Sequence, residues 1–192
     1  MKIFIDQGHN PENPNAGAEA NGVREQDITY EVGQQLARLL EADPFFEVRL
    51  SRNSPDEILG QSNPTSNAAS LAARVNAANA WGADYFISLH ANSNPNSAIS
   101  GSEAYVYSET SPAFPLAESI LVGLQNATGL RNRGIQINRG LYVLRRTAMP
   151  ALLLEMGYIT NPGDAQLMST RPDLFAQGIY NGLRAYFQLP AR

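Results

Sequence analysis

The most constraining feature of this chain is its rhythm: short apolar runs of strand length alternate with segments whose apolar residues recur at helical spacing. Residues 2–6, 45–50, 84–89, 103–107, 141–144 and 151–154 read as strands. Between them, the spacing predicts a helix over 27–40, with Ile28, Val32, Leu36, Leu39 and Leu40 on one face. Further helices are predicted over 66–81, facing inward with Leu71, Val75 and Ala78, over 112–127, and over 172–187. Pro112 falls in a first turn, where its missing N–H does no harm. Strands alternating with helices predict an α/β domain built on a largely parallel sheet. The Asn/Pro/Ser-rich stretches at 10–15, 62–67 and 92–97 have the chemistry of surface loops but not the length of linkers. With 192 residues and no internal repeat, the chain is expected to form one domain over 1–192.

Charge and cysteine content remove whole classes of function. Fourteen basic against eighteen acidic residues leave a net charge of −4, whereas a protein that grips phosphate backbones needs a basic excess, so no nucleic-acid partner is expected. The absence of cysteine excludes disulfides, thiolate nucleophiles and cysteine-ligated metal centres together. No apolar run approaches the roughly 18 residues of a membrane span, and the start Met1-Lys2-Ile3-Phe4-Ile5-Asp6 lacks the layout of a signal peptide. The protein therefore either stays in the cell that makes it or is exported by a signal outside this sequence. Lys2 is the only lysine; the many arginines read as compositional bias, and Arg145-Arg146 as a solvated surface pair.

Chemistry has few places to reside. The chain has two histidines, and both follow apolar runs: His9 comes after Ile3-Phe4-Ile5 and a short Asp6-Gln7-Gly8 step, His90 directly after Tyr85-Phe86-Ile87-Ser88-Leu89. Glu155 ends the run Ala151-Leu152-Leu153-Leu154. Open parallel sheets bind ligands beyond the carboxyl ends of their strands, and all three residues fall there. A single histidine in such a place is more often a hydrogen-bonded structural residue; three coincidences together favour a site. Two imidazoles suggest a metal, zinc first, completed by a carboxylate and an open position. The candidates for that carboxylate are Glu12, Glu19, Glu25 and Asp27. By spacing alone, Glu25 serves equally well as a ligand or as a charge at a helix N-terminus. Glu155 is then the expected general base or acid. Nucleophile-elbow, phosphate-loop, dinucleotide and His-Glu-x-x-His motifs are missing.

Four segments in series now acquire a common meaning. Asp6-Gln7-Gly8-His9, Gly22-Val23-Arg24-Glu25, Ser88-Leu89-His90-Ala91-Asn92 and Leu154-Glu155-Met156-Gly157-Tyr158-Ile159-Thr160-Asn161 resemble the zinc-dependent N-acetylmuramoyl-L-alanine amidases. Ser51-Arg52, Leu71-x-x-Arg74, Ala77-Ala78-Asn79 and Ala83-Asp84 fit as well, so the resemblance runs from Lys2 to Phe187. It implies a three-layer α/β catalytic domain that cleaves the amide between the lactyl group of N-acetylmuramic acid and L-alanine in peptidoglycan. It also implies His9, Glu25 and His90 as zinc ligands and Glu155 as the catalytic glutamate, which favours the ligand role for Glu25. Action at the cell wall, in the periplasm or outside the cell follows. The sequence departs from the resemblance where Asn10-Pro11 replace the two glycines that usually follow the first histidine. The stretch between Asn92 and Glu103 is too short for the blocking helix of regulated relatives, so no obligate activator is expected, and no cell-wall-binding repeat is expected within 1–192. The rival readings are a zinc peptidase acting on another amide and a wall-binding module without catalysis.

Overall fold

Ile3, Phe4 and Ile5 lie almost wholly out of solvent, because the strand they form is covered on both faces. In the computed structural model, which describes residues 1–57, 59 and 65–190, strand β1 spans Lys2–Gln7. A short hairpin, β2 (Glu19–Ala20) and β3 (Val23–Arg24), leads into helix α1 (Glu25–Glu41). Then follow β4 (Glu47–Leu50), α2 (Asn67–Trp81), β5 (Tyr85–Asn92), β6 (Ser102–Val106), α3 (Ala113–Thr128), β7 (Asn132–Ile137), α4 (Tyr142–Arg146), β8 (Ala151–Tyr158), α5 (Pro162–Thr170) and α6 (Pro172–Tyr186). The six-stranded sheet has the order β4-β1-β5-β8-β6-β7. Strands β4, β1, β5 and β8 run parallel; β6 pairs antiparallel with β8, and β7 runs parallel to β6.

Side-chain alternation splits the core into two layers. Ile3, Ile5, Ile87, Leu89, Leu152 and Leu154 face α1, α3 and α6. Phe4, Phe86, Ala151 and Leu153 face α2 and α4, with Phe4 and Phe86 stacked at 5.5 Å. The α/β expectation and its three layers hold. The second face turns polar towards the carboxyl ends of the strands. Paired residues share a face, so the register His90 to Glu155 and Glu155 to Glu103 sets these side chains in a row across β5, β8 and β6.

Local chemistry explains most element ends. Ser66 caps α2 by accepting the Ala69 N–H at 3.2 Å, and Gly82 closes it in a left-handed conformation. Asn161 caps α5 by accepting the Asp164 N–H at 3.0 Å, with Pro162 in the first turn. One expectation fails: residues 141–144 belong not to a strand but largely to α4. The next strand, β8, is flanked by β5 and β6, so residues 141–144 do not pair beside it. Val143 and Leu144 are both buried in the same apolar layer, which a strand, alternating its faces, could not arrange. Strand β7 and helix α5 went unread: β7 is a polar edge strand with a register shift around Gly134, and only its Ile135-Gln136-Ile137 alternation hints at it. Of the loop read at 62–67, residues 62–64 lie outside the described residues. Among the described residues no helix is long and apolar enough to cross a membrane.

On α3, Leu124 is fully buried and Val122 is 52% exposed. Leu124→Ala should therefore cost about 2–5 kcal/mol in urea unfolding, and Val122→Ala less than about 0.5 kcal/mol. Similar losses for the two would mean that α3 does not face the core as described.

Candidate metal centre

Beyond Gln7 the chain keeps to the line of β1 for one more residue, as Gly8 N–H donates to the Leu89 carbonyl at 2.9 Å. This draws Gly8 against the neighbouring histidine: a Cβ there would fall 2.5 Å from His90 Cε1, so only glycine fits. His9 follows with a positive φ of 70°, which turns its ring off the strand. Its Nδ1 lies 3.3 Å from the Asn15 carbonyl, leaving Nε2 to face Glu25 Oε1 at 3.0 Å. His90, near the end of β5, directs Nδ1 to the same oxygen at 2.9 Å. The two rings stand edge to face, 4.9 Å apart.

Glu25 is the first residue of α1, but its carboxylate does not cap that helix. Its Oε2 accepts Ala18 N–H at 3.0 Å and its Oε1 accepts Ala91 N–H at 3.1 Å. Burial alone would raise its pKa; the hydrogen bonds and charge of His9 and His90 outweigh that and hold it well below the usual carboxylate range. A Cβ on Gly17 would sit 2.8 Å from Glu25 Cβ and 2.9 Å from His9 Cδ2, so a second glycine lets its loop approach both side chains. The donor atoms of His9, Glu25 and His90 lie within 4.8 Å of one another. Two imidazole nitrogens and a carboxylate oxygen, one ring backed by a carbonyl acceptor, make a donor set able to hold a metal ion. The other carboxylates weighed from the sequence lie elsewhere: Glu12, Glu19 and Asp27 are exposed and surround Arg24.

Glu155 stands beside His90 in the β5–β8 register. Its Oε2 is buried and accepts no hydrogen bond among the described residues. Desolvation, then the charges of Glu25 and Glu103, push its carboxyl well above the usual range. Sequence reasoning missed Glu103, which sits on Glu155's other side. Its Oε1 accepts from Asn92 Nδ2 (2.8 Å), Tyr105 Oη (3.0 Å) and Tyr158 Oη (3.1 Å), while Arg133 Nε lies 3.4 Å from Oε2. A charged residue opening an otherwise apolar strand was its one signal. Arg74, noted in the sequence only within Leu71-x-x-Arg74 and given no role there, is buried next to the His9 turn. Arg145 and Arg146 are exposed, as expected. A cavity of about 170 Å³, walled by Leu71, Leu141, Tyr142 and Leu153, opens between the two histidines and α4.

Comparison with known proteins agrees with this geometry. A family model described as N-acetylmuramoyl-L-alanine amidase matches residues 3–185. The chain is 35% identical over 193 aligned positions to the N-acetylmuramoyl-L-alanine amidase CwlM of Bacillus licheniformis, covering 98% of this chain and 70% of that protein. It is equally identical to the sporulation-specific N-acetylmuramoyl-L-alanine amidase of Bacillus subtilis (strain 168), covering 98% and 69%. Among solved structures, the N-acetylmuramoyl-L-alanine amidase from Clostridium difficile 630 superposes with a TM-score of 0.85 at 28% identity, covering 99% of this chain and 98% of that one.

The Glu155 environment has a consequence for stability. A carboxyl whose folded pKa is raised keeps its proton when the unfolded chain, ionising near 4.5, has released it. Wild-type stability should therefore fall as pH rises from about 4.5 through the folded pKa. Glu155→Gln removes this ionisation. Its metal-free form should melt higher than metal-free wild type at neutral pH, with the gap closing as the pH approaches 4.5. A gap independent of pH would contradict this electrostatic picture.

Proposed function

The chain belongs to the N-acetylmuramoyl-L-alanine amidase family, and from that premise we propose that it hydrolyses the amide between N-acetylmuramic acid and L-alanine in peptidoglycan. Residues 1–192 act as one catalytic domain at the cell wall. Zinc is the metal, with His9 Nε2, His90 Nδ1 and Glu25 as its ligands. The observation that carries this reading is the convergence of those three donors beside a buried carboxylate oxygen that has no hydrogen-bond partner among the described residues. When bound, zinc supplies Lewis-acid chemistry, acidifying water and polarising a carbonyl.

The remaining work belongs to the chain's own groups. Asn15, through its carbonyl, keeps the His9 proton on Nδ1, so Nε2 stays a donor to the metal. Glu155 Oε2 takes the proton of the attacking water as the new C–O bond forms. It then passes that proton to the alanine nitrogen as the C–N bond breaks, releasing an amine and a muramyl carboxylic acid. Two influences meet at Glu155: burial with Glu25 and Glu103 raises its pKa, and a cation alongside lowers it. Glu103 Oε1 is already engaged by three donors of its own, which leaves Glu155 Oε2, among the described residues, as the buried carboxylate oxygen free to meet the water. Residues 93–101 carry no helix that could cover the site, which supports activity without an activating partner.

Digestion of purified sacculi followed by mass spectrometry tests the reaction. The expected products carry free L-alanine amino termini, a chelator abolishes their release and zinc restores it. New reducing sugar ends, or silence until a second protein is added, would count against this reading. Glu155→Gln should retain zinc and lose about 10²–10⁴-fold in kcat with little change in KM. A metal-free Glu155→Gln variant would shift Glu155 from proton carrier to ligand.

A further inference from the structure

Arg74, on α2, is 1% exposed, and its guanidinium is directed mainly at the end of β1 and the turn that carries His9. Its Nη1 donates to Asp6 Oδ1 (2.5 Å), to the Gln7 carbonyl (2.6 Å) and to Ser51 Oγ (3.3 Å). Its Nη2 donates to the His9 carbonyl and to Asn10 Oδ1 (2.9 Å). Asp6 is equally buried, and its second oxygen accepts the Ser88 hydroxyl at 2.8 Å. Between the two carbonyls that Arg74 holds, the Gly8 carbonyl accepts Thr29 Oγ1–H at 2.8 Å. Three successive carbonyls on the approach to His9 are thus fixed by side chains.

Core stability alone does not account for this. Removing a guanidinium and a carboxylate from water is costly, and an apolar pair of similar volume often serves a core as well or better. A planar fork, by contrast, can hold several acceptors in one geometry. That geometry matters here because His9 is a non-glycine residue in the left-handed region, at φ 70°, a conformation its surroundings must maintain. Arg74 also reaches the His9 ring indirectly. Asn10 is fully buried and accepts from both Arg74 and Ser70 Oγ (3.0 Å). It donates its Nδ2 to the Pro14 carbonyl (2.7 Å) and its N–H to the Asn15 carbonyl (2.8 Å). The Asn15 carbonyl is the acceptor that faces His9 Nδ1.

We propose that Arg74 is a positioning residue of the metal centre, fixing the His9 main chain directly and, through Asn10, the Asn15 carbonyl that orients the His9 imidazole. This rests on the zinc reading given above. The sequence offers no local sign of it, since Arg74 lies on a different element, 65 residues from His9.

The test is zinc affinity, measured by competition with a chelator, together with the visible spectrum of the cobalt-loaded protein. Both are recorded on wild type, Arg74→Lys and Asn10→Ala, well below each melting temperature and with folding checked by circular dichroism. Lysine keeps the charge beside Asp6 but cannot bridge the carbonyls. Arg74→Lys should bind zinc about 10–100-fold more weakly, with an altered cobalt spectrum. Asn10→Ala, which leaves the Arg74–Asp6 pair in place, should weaken zinc by a smaller factor. If Arg74→Lys fails to fold, Asn10→Ala decides alone. Folded variants that melt earlier but keep wild-type zinc affinity and the wild-type cobalt spectrum would overturn the proposal while leaving the zinc reading intact. A wild-type chain that binds no zinc would overturn both.

Discussion

One oxygen atom organises this protein's functional end. Glu25 is buried, and its Oε1 lies within hydrogen-bonding distance of His9, His90 and the Ala91 amide. A buried carboxylate is tolerable only if its charge is met, and meeting it ties three otherwise independent parts of the chain together. The ends of β1 and β5 must be neighbours, α1 must start where they end, and the loop around Gly17 must approach without side chains. The parallel pairing of β1 with β5 supplies the first condition and the β2–β3 hairpin the second. The same convergence that satisfies Glu25 in the metal-free chain offers three donors to a cation.

The neighbouring row of carboxylates has the opposite character. Glu103 is satisfied by two tyrosines and an asparagine, whereas Glu155 keeps a buried oxygen without a hydrogen-bond partner among the described residues. Placing Glu155 between Glu25 and Glu103 disfavours its ionisation. That is a destabilising arrangement in the metal-free fold, and it is the one a proton carrier requires: a group held away from its ordinary pKa, free to exchange its proton. The fold compensates through the two apolar layers that bury most of the sheet.

Much of this is legible in the sequence because apolar runs mark where strands end. His9, His90 and Glu155 each follow such a run, and the strand rhythm alone placed them towards one end of the sheet, although β8 runs on past Glu155 to Tyr158. Glu25 was not decided by pattern: its position at the start of an amphipathic helix suits a helix-terminal charge as well as a ligand, and only its resemblance to known amidases favoured the second. The contacts that define its role reach His90, 65 residues away, and such pairings leave no local signature. Glu103 was hidden for the same reason, by an antiparallel register, and Arg74, though part of the Leu71-x-x-Arg74 match, showed no role because its partners lie on a turn 65 residues away. The misreading of residues 141–144 has another cause. Tyr142-Val143-Leu144 has strand composition, but Val143 and Leu144 both pack into the apolar layer beneath α2, which a helical turn allows and a strand does not, and tertiary context overrode propensity.

The central claim is that His9, Glu25 and His90 share one metal ion. X-ray absorption at the zinc edge of the loaded protein examines that coordination directly. The account predicts two imidazole nitrogens at roughly 2.0–2.1 Å, the remaining neighbours being oxygen, in a four-coordinate site. A spectrum with fewer than two imidazoles, or with an all-oxygen shell, would contradict it.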